Sequence, residues 1–189
     1  MNVFDFDKTI YDGDSTTHFC IFIARRHPRV ILDFIGSLGA VMRYKTGKIS
    51  KTAMKERLYR CFCHVPDMEG EVKLFWKKHM KNIEKWYFDI KKPDDVVISA
   101  SPEFLLEIPI KELGIGTLIA SRVDMKTGKY DGLNCYGEEK PKRFAAHFGE
   151  GFETLSDNFY SDSYSDTPMA EIARKAYIIK NHQPQAWGK

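Results

Sequence analysis

The chain has 189 residues, room for one domain with a large insertion, and its 43% hydrophobic and 29% charged residues are ordinary for a folded protein. Lys and Arg number 29 against 26 Asp and Glu, so the formal charge is +3, too balanced for nucleic-acid binding driven by net charge. Collagen, coiled coil, global disorder, disulfide scaffolds and multi-span membrane proteins are excluded on composition.

A very short strand is predicted over Asn2 to Phe6, ending in carboxylates. Residues 15 to 92 then read as helices. Ser15 is placed to cap a first helix toward His27, Pro28 to start a second that Gly47 closes, and Ser50 to cap a third through about Phe62. Pro66 or Asp67 starts a fourth, whose Val72, Phe75, Trp76, His79, Met80, Ile83 and Trp86 recur at helical spacing. The apolar run Val30 to Met42 is broken by Asp33 and falls short of the about 20 residues that span a bilayer. Arg25, Arg26, Arg29, Arg43, Lys45 and Lys48 flank it. A buried helix pair is the expected arrangement; an amphipathic element on an anionic membrane surface is the alternative.

After Pro93 the texture changes. Val96 to Ile98 is a continuous apolar run, as in a strand buried on both faces. Ser101-Pro102 reads as a helix cap with proline in the first turn, and Pro109 is expected to kink or end that helix. A strand over Gly116 to Ser121, a hairpin around Lys126 to Lys129 and a helix over Lys140 to Phe148 follow. Then come a strand over Thr154 to Tyr160, a helix over Pro168 to Ala176 and a last strand over Tyr177 to Lys180, with a loose tail from Asn181.

Strands alternating with helices argue for an α/β fold, a Rossmann-like parallel sheet flanked by helices. About 90 mostly helical residues separate the first two strands. The expected organisation is therefore an α/β core of residues 1–14 and 93–189 with an inserted all-helical cap over residues 15–92. Four cysteines are too sparse for a disulfide framework, and a reducing cytoplasm is the expected location, with membrane-peripheral attachment as the variant. Cys61, Cys63 and His64 form a C-x-C-H run that zinc binds in principle, but a helix end before Pro66 is the simpler reading. The first residues lack the basic and apolar regions of a signal peptide, and no transmembrane segment or nucleic-acid partner is expected.

Sites in open α/β sheets form at the carboxyl ends of strands. Four clusters stand there: Asp5-Phe6-Asp7-Lys8-Thr9, then Ser99-Ala100-Ser101, then Lys140, then Ser161 to Asp166. An EF-hand reading of the acidic runs fails for want of the required Gly and Glu. In this order the clusters resemble the motifs of the haloacid dehalogenase-like (HAD) superfamily of aspartate-nucleophile phosphohydrolases. DFDKT resembles its D-x-D-x-T motif, VVISAS its strand closing in Ser, and SDSYSD its acidic D-x-x-x-D. The stretch DGLNCYGEEK is similar to the branch that includes phosphoserine phosphatases and phosphatidylglycerophosphatase C, and the helical insert occupies the position of that branch's C1 cap.

The resemblance implies a phosphomonoesterase with Asp5 as nucleophile, Asp7 as general acid and base, and Lys140 as a fixed cation. It implies Mg²⁺ held by the carboxylates of Asp5 and Asp162 and the backbone carbonyl of Asp7, with Asp166 behind them or orienting Lys140. Ser99 and the N–H groups of Ala100 and Ser101 would hold phosphoryl oxygens, and Thr9 would brace the loop or touch the ligand. Asp14 stands nine residues after Asp5, where phosphoserine phosphatases carry Glu; a helix cap is the alternative role. Phosphate monoester hydrolysis needs up to ~10²¹-fold acceleration and one positioned acid supplies about 10²–10⁴, so several such groups must act together. The implied substrate is a small phosphorylated metabolite. The alternatives are a phospholipid headgroup cleaved at the membrane surface and a catalytically silent module that only binds a phospho-ligand.

Overall fold

Asn2, Val3 and Phe4 are all buried, and they form β1 (Asn2–Phe4), shorter than predicted because Asp5 to Asp7 turn out of the sheet. The computed structural model describes residues 1–188. Five helices follow β1: α1 (Ser15–Arg26), α2 (Pro28–Lys45), α3 (Lys51–Tyr59), α4 (Met68–His79) and α5 (Lys85–Ile90). Strands and helices then alternate as β2 (Val96–Pro102), α6 (Glu103–Leu113), β3 (Thr117–Ser121), α7 (Glu139–Phe148), β4 (Asn158–Ser161), α8 (Thr167–Ala170) and β5 (Lys175–Lys180), with β6 (Gln183–Ala186) last.

The sheet runs β3-β2-β1-β4-β5-β6, with β1 to β5 parallel and β6 antiparallel at the edge. This is the α/β class expected. Strand periodicity splits the core into two layers. Val3, Val96, Ile98 and Phe159 face α7 and α8 through Phe144 and Met169. Phe4, Val97 and Tyr160 face the inserted helices and α6, where they meet Phe19, Trp76, Tyr87 and Leu105. Phe4, Tyr160 and Tyr177 stack across three strands, at centroid separations of 4.7 and 4.9 Å.

Several elements differ from expectation, each for a local reason. Asp14, not Ser15, caps α1, its carboxylate accepting from Thr17 N–H at 2.7 Å. The fourth helix stops at His79 and resumes as α5, because Asn82 C=O and Glu84 N–H pair with Asp12 N–H and Ile10 C=O instead of with helical partners. Ser101 lies inside β2, so it caps nothing; Pro102 is the cap position of α6. Pro109 neither ends nor interrupts α6. Its ring cannot donate to the carbonyl of Leu105, and the Trp76 indole N–H donates there instead, at 2.6 Å. β4 and α8 are both shorter than predicted. The tail is not loose: Asn181 and His182, at φ 51° and 61°, make a two-residue hairpin turn that folds β6 back on β5.

The buried helix pair is also corrected. Apolar residues run around most of α2, and its packing on α1 and α3 buries only Val30 and Ala40, so Leu32, Ile35, Leu38 and Met42 face solvent. The four cysteines are free; Cys61 is buried, whereas Cys63 and His64 sit beside Asp33. Among the described residues no helix is long and apolar enough to cross a membrane.

Candidate active site

The site grows from the point where strand order reverses. β2 and β3 lie to one side of β1, and β4 and β5 to the other, so the loops leaving β1 and β4 open a crevice at their carboxyl ends. Asp5 N–H donates to Tyr160 C=O at 2.8 Å, which holds Asp5 at the sheet's upper edge. The chain then coils on itself: Tyr11 N–H donates to Phe6 C=O, Lys8 N–H donates to Gly13 C=O, and Lys8 takes the left-handed conformation at φ 54°. That coil keeps Asp5 and Asp7 beside the crevice.

Lys140, near the start of α7, is buried between two carboxylates. Its Nζ donates to Asp5 Oδ1 at 2.8 Å and to Asp166 Oδ2 at 2.6 Å, and Ser161 Oγ donates to the same Asp166 oxygen at 2.8 Å. Burial alone would lower the lysine's pKa, but Asp5 and Asp166 hold it above its ordinary value, so Lys140 is a permanent cation. Asp5 is pushed up to about 7, chiefly by burial, which outweighs the attraction of Lys140, while Asp166 and Asp7 add to the rise.

Asp7 is held on both oxygens. Ser15 N–H donates to Oδ1 at 2.6 Å and Ser101 Oγ to Oδ2 at 2.5 Å, while Thr16 Oγ1 lies 2.8 Å from Ser101 Oγ. Burial, then the nearby Asp14, raise its pKa above the ordinary carboxylate range. Ser99 Oγ accepts from Ser101 N–H at 3.1 Å, and Lys55 Nζ from α3 donates to Ala100 C=O at 2.9 Å. Asp162 is raised by burial, with Lys8 opposing.

These groups share one cavity of about 610 Å³. Asp5, Asp7, Asp14, Ser99, Ala100, Ser101, Lys140, Asp162 and Asp166 all border it. Thr9 does not; it is fully buried behind the loop, with its hydroxyl unpartnered. Asp14 borders the cavity while capping α1, so both roles weighed for it coincide in one side chain. Sequence reasoning missed Lys8, Thr16, Lys51 and Lys55, which also line the cavity. Their one signal is adjacency to motif residues or a place in the helical insert, and a lysine on a helix reads as a solvated charge. The wall away from the carboxylates is apolar, with Ile21, Ala24, Phe34, Leu58 and Tyr59.

The donor set suits a hard divalent cation. Asp5, Asp7 and Asp162 offer only oxygen, and burial raises all three, a cost that a divalent cation would offset. Their side-chain oxygens do not form a three-ligand group within 4.8 Å; among the described residues the groups that do are Asp33/Cys63/His64 and Asp12/Glu84/His182. With both carboxylate oxygens of Asp7 already accepting hydrogen bonds, its backbone carbonyl is the group left for an ion.

Comparison with known proteins bears on the same residues. The model of the haloacid dehalogenase-like hydrolase family matches residues 3–171. A probable phosphatase of Mycobacterium tuberculosis is 36% identical over 92 residues, which are 46% of this chain and 31% of that protein. The match thus spans about a third of the relative's length. A protein of unknown function from Bordetella pertussis superposes with a TM-score of 0.72 at 20% identity, over 94% of this chain and 88% of the other. A phosphoserine phosphohydrolase-like protein from Francisella tularensis gives 0.59 at 17% identity, over 96% and 88%. A phosphoserine phosphatase with an analogue of its phospho-aspartyl intermediate gives 0.55 at 17% identity, over 93% and 84%. At these identities the structural likeness is one of fold.

Proposed function

The chain belongs to the haloacid dehalogenase-like hydrolase family, and on that premise we propose that it is a Mg²⁺-dependent phosphatase that cleaves a phosphate monoester through a phosphorylated Asp5. The observation that carries the reading is the Asp5–Lys140–Asp166 bridge standing beside Asp7 in one cavity.

An Asp5 carboxylate oxygen attacks phosphorus and the bond to the leaving oxygen breaks. Asp7, in its protonated form, gives its proton to the leaving alkoxide. Asp7 then accepts a proton from water as that water attacks the phosphorus on Asp5. The bond between the Asp5 oxygen and phosphorus breaks, inorganic phosphate leaves, and Asp5 returns as the carboxylate while Asp7 is again the protonated acid. Lys140 favours the ionised form of the nucleophile against burial and offsets phosphoryl charge; Ser99 Oγ–H, braced by the Ser101 N–H, and the N–H of Ala100 take phosphoryl oxygens. Asp5 and Asp162 through carboxylates and Asp7 through its carbonyl would hold Mg²⁺, which supplies neutralisation of phosphoryl charge. In this reading helices α1 to α5 are the cap over the core, and the free cysteines favour a reducing compartment.

The substrate is a phosphorylated metabolite small enough for the cavity. The apolar wall of Ile21, Phe34 and Leu58 supports a second reading, in which the leaving group is apolar, as in a lipid phosphate. Hydrolysis of p-nitrophenyl phosphate is expected with Mg²⁺ and lost in EDTA; equal rates in both would remove the metal from the account, and no turnover of any phosphomonoester would leave only a binding module. Phosphoserine and a short-chain lipid phosphate, compared in one panel, separate the two substrate readings.

A further inference from the structure

The face of α2 turned away from α1 and α3 is apolar and exposed. Leu32 is 70% exposed, Ile35 and Leu38 61% and Met42 63%, and with Ile31 they recur at helical spacing along one side of the helix. Contiguous exposed apolar side chains rimmed by polar ones mark interaction surfaces. Both ends of this row are basic. Between residues 15 and 55 there are eight Lys and Arg and a single acid, Asp33, so this segment carries +7 while the whole chain carries +3 and the remainder −4. Asp33 is taken by His64, and Arg26 and His27 by Glu71, which leaves Arg25, Arg29, Arg43, Lys45 and Lys48 unpaired among the described residues.

We propose that this face of α2, with its basic ends, docks the protein on an anionic lipid bilayer. Apolar side chains in one row, flanked by lysine and arginine, are the pattern of a helix lying in the plane of a membrane interface. A second copy of the chain fits worse. Two antiparallel copies of α2 would set Arg25 and Arg29 of one against Arg43, Lys45 and Lys48 of the other, and like charges across an interface oppose association. A bilayer bearing negative headgroups satisfies both parts of the surface at once. Phe34 of the same helix lines the catalytic cavity, so the docked protein holds that cavity near the headgroups. Delivery of a lipid phosphate to Asp5 would rest on the proposed phosphatase reading; docking itself does not.

Co-sedimentation with vesicles of equal parts phosphatidylcholine and phosphatidylglycerol tests this directly. The wild type is expected to pellet with them at low ionic strength, to release as salt rises, and to bind phosphatidylcholine vesicles far less. The triple variant Arg29→Gln/Arg43→Gln/Lys45→Gln should partition roughly a hundredfold less, at roughly fivefold per basic residue. Ile35→Ser/Leu38→Ser/Met42→Ser should also stay in the supernatant. These positions are exposed and outside the catalytic machinery, so both variants should keep wild-type circular dichroism and soluble turnover. The proposal is overturned if the wild type ignores anionic vesicles at low salt, or if both variants bind as it does. It is equally overturned if gel filtration gives a wild-type dimer that the serine variant splits. Vesicle binding without any phosphomonoester turnover would sink the phosphatase reading and leave docking standing.

Discussion

Lys140 shows how the site depends on single side chains. It is the one cation in contact with both Asp5 and Asp166, and removing one partner from a buried ion pair leaves the others uncompensated. Lys140→Ala is expected to cost about 3–5 kcal/mol of stability, read as a lower denaturation midpoint, together with the loss of turnover. Asp7→Asn should lower kcat by about 10²–10⁴ with the fold intact, because the change removes a proton donor and keeps the shape. Lys55 supplies a pH dependence. Burial and the neighbouring Lys51 pull its pKa down to about 8, so it is charged below that pH and neutral above. Binding of a phosphate dianion should therefore weaken as pH rises through about 8, and a pH series of KM should show that limb flattened in Lys55→Gln. An unchanged limb would assign it to another group.

At the scale of elements, tertiary contacts overrule local propensity in identifiable places. α6 continues through Pro109 because the indole of Trp76 on α4 satisfies the Leu105 carbonyl. Trp76→Phe should cost about 1–3 kcal/mol through that unsatisfied acceptor. Adding Pro109→Ala should recover part of the loss, since the alanine's backbone N–H then reaches the same carbonyl; strictly additive effects in this double-mutant cycle would contradict the explanation. Nothing in the segment containing Pro109 foretells an outcome decided by a tryptophan on another helix. The break between α4 and α5 has the same origin, since the partners of Asn82 and Glu84 lie in the loop after β1. The final hairpin did have a signal, because Asn tolerates the left-handed conformation that Asn181 adopts. The parallel sheet was legible because its central strands β1, β2 and β4 are buried on both faces and end in chemistry-bearing residues, whereas Lys8 and Lys55 were not, because only the folded chain shows which lysines turn inward.

At the scale of the whole molecule, Glu71 ties α4 to the junction of α1 and α2, accepting from Arg26 Nε at 2.6 Å and pairing with His27 Nε2 at 3.1 Å. Burial pushes its pKa up, but Arg26 and His27 more than offset this and hold it below the ordinary value. A carboxyl depressed in the folded state adds stability above its unfolded pKa, and that stability disappears as pH falls through the folded one. Glu71→Gln should thus lower stability by about 1 kcal/mol at neutral pH and by little near pH ~3, measured by denaturant titration at both. The inserted helices and the sheet also share one hydrophobic cluster, through Phe4, Trp76 and Tyr87. The central claim is that Asp5 carries the phosphoryl group. Acid-quenching the enzyme during turnover of a ³²P-labelled phosphomonoester, followed by digestion, should leave hydroxylamine-labile label on the N-terminal peptide that contains Asp5, and none in Asp5→Asn; label on another peptide, or wild-type turnover by Asp5→Asn, would contradict it.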